Sequence, residues 1–213
     1  MLLTSGKDSM PFIEKQCLRL FPLTKDQKVR DPGCIHGVGH GLVSLNNLDI
    51  VKTLRDCDNF NKIVRSDCWD GAFMEYTASI VPSFNTKDPW KFCSKLDNAY
   101  QKKCASYISF MYLKYVPYST KTFAEMCSKA PNQQLEELCT RWVGYIIAED
   151  SKGSLEYIKK ECKSIKSFFE STICLIGAAQ EIEVDHYTNW KTLSKLTCAE
   201  VPKDFNTTGG SEQ

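Results

Sequence analysis

His36 and His40 are two of only three histidines in the chain, and they stand four residues apart. On a helix that spacing puts both imidazoles on one face, as two-histidine metal ligation requires. The run around them, Gly33-Cys34-Ile35-His36-Gly37-Val38-Gly39-His40-Gly41, holds four glycines in nine residues. Each costs a helix roughly 1 kcal/mol against alanine, so the run asks for a functional or a close-packing reason. A dinucleotide loop fails, because no strand pattern precedes it and the spacing is not G-x-G-x-x-G. Close packing explains the glycines and would make alanine at Gly37 or Gly39 destabilising. Metal ligation explains the histidines, and an irregular loop is the remaining reading.

A partner for the histidines lies one cysteine further on. Counted from Cys34, the histidines sit at positions +2 and +6; counted from Cys68, Asp70 and Met74 hold those positions and Glu75 follows at +7. Two imidazoles and a carboxylate with an open position form a labile or catalytic zinc site. A methionine nearby suits copper better. The expected ligands are therefore His36, His40, Asp70 and Glu75, with zinc or copper as the metal and Glu75 as candidate general base if the site is catalytic. Against this stands a plainer reading, in which Asp70 and Glu75 are solvated acids and Met74 is core. His186 follows Glu181 and Asp185 near the end of another helical pattern, where a surface acidic end is expected. No G-x-S-x-G, paired-carboxylate or Cys-His motif names a reaction.

The elements that must position these residues are written in the cysteines. Eleven occur in 213 residues. Cys34, Cys68, Cys104, Cys139 and Cys174 step by 34, 36, 35 and 35 residues, and Cys57, Cys93, Cys127, Cys162 and Cys198 by 36, 34, 35 and 36. A fixed period near 35 marks a repeat array of paired helices. Apolar residues ahead of the second ladder recur three and four apart, as in Ile50-Val51-Lys52-Thr53-Leu54-Arg55-Asp56-Cys57. Asp88-Pro89, Asp31-Pro32 and Ser154 read as helix starts, while Pro82, Pro117 and Ser151-Lys152-Gly153 read as breaks. In such a hairpin, a cysteine ending the first helix faces one opening the second. The expected bridges are Cys17–Cys34, Cys57–Cys68, Cys93–Cys104, Cys127–Cys139 and Cys162–Cys174, leaving Cys198 free or paired elsewhere.

The expected fold is all-α, an α-solenoid of about five and a half disulfide-stapled helical hairpins. A single helical-repeat domain spans 11–202, between a flexible N-terminal segment, 1–10, and a flexible tail, 203–213. By period and cysteine placement the array resembles the tetratricopeptide-like helical repeats, most closely their secreted, disulfide-linked cysteine-rich relatives. The resemblance implies a curved solenoid whose surface holds a peptide, a protein or a small ligand.

Composition narrows the setting. With 27 basic and 26 acidic side chains there is no sequence-wide electrostatic case for nucleic acid or an anionic membrane. The longest apolar runs, Trp142–Ala148 and Ile173–Ala179, are too short to span a bilayer. Eleven cysteines without a C-x2-C pair favour an oxidising compartment over structural zinc, and the sequon at Asn206 agrees. A secreted, periplasmic or cell-surface location is expected, with any signal or anchor already removed, since the first residues lack an apolar core. Two functions follow: an extracytoplasmic binding protein with a protein or peptide partner and a metal at His36 and His40, or a metal-dependent, hydrolase-like enzyme using the same cluster.

Overall fold

The computed structural model describes residues 9–20, 33–79, 84–113, 115–187 and 189–202. Asp31-Pro32, Pro82, the sequon at Asn206, residues 1–8 and the 203–213 tail lie outside them. Among the described residues every regular element is an α-helix. After α1 (Met10–Leu20), long and short helices alternate. The long ones are α2 (Gly33–Leu45), α4 (Arg65–Ala78), α6 (Asn98–Leu113), α8 (Gln133–Asp150) and α10 (Phe168–Val184). The short ones are α3 (Ile50–Cys57), α5 (Trp90–Cys93), α7 (Thr120–Cys127), α9 (Leu155–Lys163) and α11 (Trp190–Cys198).

Local chemistry sets the boundaries. Asp49 accepts a hydrogen bond from Lys52 N at 3.0 Å, Asn132 from Leu135 N at 3.0 Å and Ser167 from Glu170 N at 3.3 Å, each satisfying a donor that a helix start leaves open. The expected Asp88 cap is replaced. Pro89, already in the right-handed helical region, takes the cap position of α5, and the helix lasts a single turn. Ser154 stands at the cap of α9 without a side-chain bond.

All five expected bridges are present, with α-carbons 5.5 to 5.7 Å apart. Except for Cys17–Cys34, which joins α1 to α2, each ties the end of a short helix to an early turn of the next long one. Cys198 closes α11 as an exposed free thiol.

The described chain divides into two compact units, Met1–Phe84 with Leu96–Lys103, and Asn85–Lys95 with Cys104–Gln213. In the first, Met10, Cys17, Ile35, Leu42, Cys57, Phe60, Val64 and Cys68 form one buried cluster, so the Cys57–Cys68 disulfide lies within the core and the partly buried Cys34 packs against it. Asn61 N donates to Glu14 at 2.9 Å, and Asn46 donates to Asp56 at 2.9 Å. In the second unit, Phe123 is buried with the rings of Tyr112 and Tyr118 beside it. The buried Trp90 donates its indole N–H to the Met126 carbonyl at 2.9 Å.

One packing device occurs in each unit. In the first, α2 and α4 run parallel and close enough that glycine is required on both. A Cβ on Gly39 would collide with the Cys68 carbonyl and lie 2.7 Å from Ala72 N; one on Gly71 would collide with the His36 carbonyl. In the second unit α8 and α10 cross the same way, Gly144 against Cys174 and Ala178, Gly177 against Arg141. Gly37 and Gly41, by contrast, have open space where a methyl would sit. Close packing therefore accounts for Gly39 but not for Gly37.

Candidate functional site

The glycine run folds as one continuous helix, which excludes the irregular-loop reading of Gly33–Leu45. Because Gly39 faces α4, the adjoining faces of α2 point His36 and His40 along the edge of the crossing, while Gly37 and Gly41 leave the outer surface bare. The two imidazoles are neighbours, with ring centroids 4.9 Å apart. Register across the crossing then decides their partners. His36 meets Gly71, so His40, one turn on, meets Glu75: Nδ1 of His40 lies 2.9 Å from Glu75 Oε2. With a carboxylate facing it, Nδ1 carries the proton and donates, which leaves Nε2 as the basic nitrogen. Both side chains are about one-third exposed.

Asp70 takes a different role. Lys103, from the first turns of α6, donates to both its carboxylate oxygens at 2.8 and 2.7 Å. His36 feels this pair at a distance. Burial first, and then His40, hold its imidazole below the ordinary value; Asp70 opposes the shift and Lys103 adds to it. A lowered His36 is neutral near pH 7, with its lone pair available. The structure thus places all four expected residues on α2 and α4 and brings them together as His36–His40, His40–Glu75 and Asp70–Lys103. Among the described residues no three acids, histidines or cysteines converge as a metal-holding group. Met74, read as core, is 51% exposed.

Two residues of this surface escape sequence reading. Lys103 lies on α6, and nothing in its spacing marks it as the partner of Asp70. Asp67 precedes Cys68; its Oδ2 is buried without a hydrogen-bond partner among the described residues. Burial, reinforced by Asp70 and opposed by Lys103, raises Asp67 to about 6. An acid raised on folding binds protons more tightly in the folded chain, so its contribution to stability is full below the ordinary 3.8 and is lost as pH rises through about 6. Asp67→Asn should therefore flatten the fall in stability over that window. Urea midpoints at pH 4, 6 and 8 would check this, and an unchanged slope would remove Asp67 from the account.

His186 lies in the turn after α10, with a left-handed φ of 49° and its ring tilted against Trp190, centroids 4.7 Å apart. It takes no part in the His36–His40 surface. No helix among the described residues is long and apolar enough to cross a membrane. No family model matches the chain, and no curated protein or solved structure is similar to it.

Proposed function

We propose that this chain is a disulfide-stapled helical-repeat binding protein of an oxidising, extracytoplasmic compartment, secreted, periplasmic or cell-surface. In this reading it holds a zinc or copper ion at His36 and His40 and presents it to a protein or peptide partner. The observation that carries the proposal is the His40–Glu75 hydrogen bond across the α2–α4 crossing. Metal-binding histidines commonly give their other ring N–H to a carboxylate, which fixes the tautomer and raises the basicity of the ligating nitrogen. Glu75 is then the residue that orients His40, not a ligand. Asp70, held by Lys103, serves to poise His36. The bare surface at Gly37 and Gly41 gives room for a partner's donor atoms to complete the coordination. The α-solenoid reading belongs to the same proposal; its support is the alternation of short and long helices and the parallel crossing within each unit.

The hydrolase-like alternative has one favouring observation. Glu75, the candidate general base of that reading, lies 2.9 Å from His40 Nδ1 and so stands beside the metal-binding pair.

Titrating zinc and copper into the oxidised full-length chain tests the site. His36→Ala and His40→Ala should abolish binding with little change in melting temperature. Glu75→Gln should weaken binding about 10- to 100-fold. Binding should also fall away below about pH 6, where imidazole protonates. Alanine variants that bind as well as the parent chain would refute the metal assignment.

A further inference from the structure

The crossing of α8 and α10 repeats that of α2 and α4 with other side chains. Cys34-x3-Val38-Gly39 matches Cys139-x3-Val143-Gly144, and Cys68-x2-Gly71-Ala72-x2-Glu75 matches Cys174-x2-Gly177-Ala178-x2-Glu181. Tyr145 stands where His40 stands, a phenol acting on Glu181 in place of the imidazole that bonds Glu75. The setting of the acid differs. Glu75 is half-buried, whereas Glu181 is only 2% exposed. Its Oε1 accepts from the Tyr187 hydroxyl at 3.1 Å, and Oε2 has no hydrogen-bond partner among the described residues. That same hydroxyl lies 3.2 Å from Asp185, one helical turn beyond Glu181.

Tyr187 is the joint between two helices. Its carbonyl accepts from Trp190 N at 2.8 Å, at the start of α11. Its ring packs beside Gly153, in the turn between α8 and α9, where φ of +76° calls for glycine. The groups acting on Glu181 are acids and phenols: Tyr145 from α8, with Glu149 acting on that phenol, and Asp185 and Tyr187 from the end of α10. Where α11 meets α10 at Glu183, that carboxylate accepts from the Ser194 hydroxyl at 2.6 Å. Burial first, with Asp185 beside it, outweighs the two neighbouring phenols and raises Glu181 to about 7.

We propose that Glu181, Asp185 and Tyr187 form a proton-operated latch that docks the Asp185–Tyr187 turn against the end of α10 and the Gly153 turn while Glu181 holds a proton and frees it when that proton passes to solvent. The protonated acid sits uncharged beside Asp185 and keeps its bond to Tyr187. Ionisation puts two carboxylates together, one of them buried with an oxygen that has no donor. Repulsion and the demand for water then act on the segment that can yield, the turn carrying Asp185 and Tyr187 into α11. Docking is complete below the ordinary carboxyl range and is lost as pH rises through about 7. This device is independent of the metal reading.

Hydrogen exchange read by mass spectrometry on the oxidised full-length chain at pH 5.5 and 8.5, corrected for intrinsic rates, tests it. Protection across 185–198 should fall about tenfold or more on going to the higher pH, while α2 keeps its protection. Glu181→Gln should hold the segment protected at both values. Asp185→Asn, which removes the like charge, should shrink the loss at pH 8.5, and this carries the test alone if the glutamine variant does not fold. His186→Gln should leave the response in place. Equal protection of the parent chain at both pH values, or a Glu181→Gln chain that still responds, would overturn the latch.

Discussion

Gly39→Ala and Gly71→Ala are expected to destabilise the first unit by about 3 kcal/mol or more each, at the upper end of overpacking costs. The atom each new methyl meets is a backbone carbonyl of the facing helix, not the movable end of a side chain. Relief would need the two helices to part, and Cys34 and Cys68 hold both by disulfides close to the contact. The same change at Gly37 or Gly41, in the same helix, should leave stability unchanged or raise it by about 0.5–1 kcal/mol, because alanine restricts the unfolded chain and meets nothing in the folded one. Gly144→Ala and Gly177→Ala should repeat the penalty in the second unit. Urea unfolding of the four α2 and α4 variants gives the comparison directly. Equal costs at Gly37 and Gly39 would mean that the α2–α4 crossing is wrong.

Reduction should unfold the chain. Each bridge closes a loop with a sequence separation of 11 to 17 residues, for which the chain-entropy account gives about 3 kcal/mol. Five such constraints together match or exceed the whole stability of an ordinary domain, about 5–15 kcal/mol. The short helices show why no reserve exists: α5 has four residues and α3 and α7 eight, lengths that do not persist without tertiary support. Far-ultraviolet circular dichroism with and without a phosphine reductant should show loss of most helical signal at 25 °C. Retention of the full signal with all eleven thiols free would show that packing alone holds the fold.

The cysteine ladders made the fold class and the bridge pattern legible in the sequence. Two ladders of one residue type at a near-constant spacing indicate which helices are bridged, and hydrophobic spacing supplies the helices themselves. The site was legible only in part. His36 and His40 on one helical face and Glu75 near them follow from counting along the repeat. Which acid meets which histidine does not, because it depends on the register between α2 and α4. That register is set by Gly39 and Gly71 interlocking, and it delivers Glu75 to His40 and leaves Asp70 to Lys103. The diversion of Asp70 needed a lysine from a third helix, which no pairwise pattern reveals. The four glycines of α2 likewise look equivalent in the sequence, although only the side of the helix facing α4 distinguishes Gly39 from Gly37.

Every bridge joins a cysteine to the next one along the chain, first to second, third to fourth, and so on to the tenth. As the chain grows from its N-terminus, the second cysteine of each pair therefore meets its correct partner before any competitor has appeared. Oxidation can keep pace with chain growth, each pair locking in turn, with little call for a shuffling catalyst to undo wrong pairs. Cys198 enters after ten thiols have been consumed in order, so its exposed sulfur remains available for exchange without entangling the framework behind it.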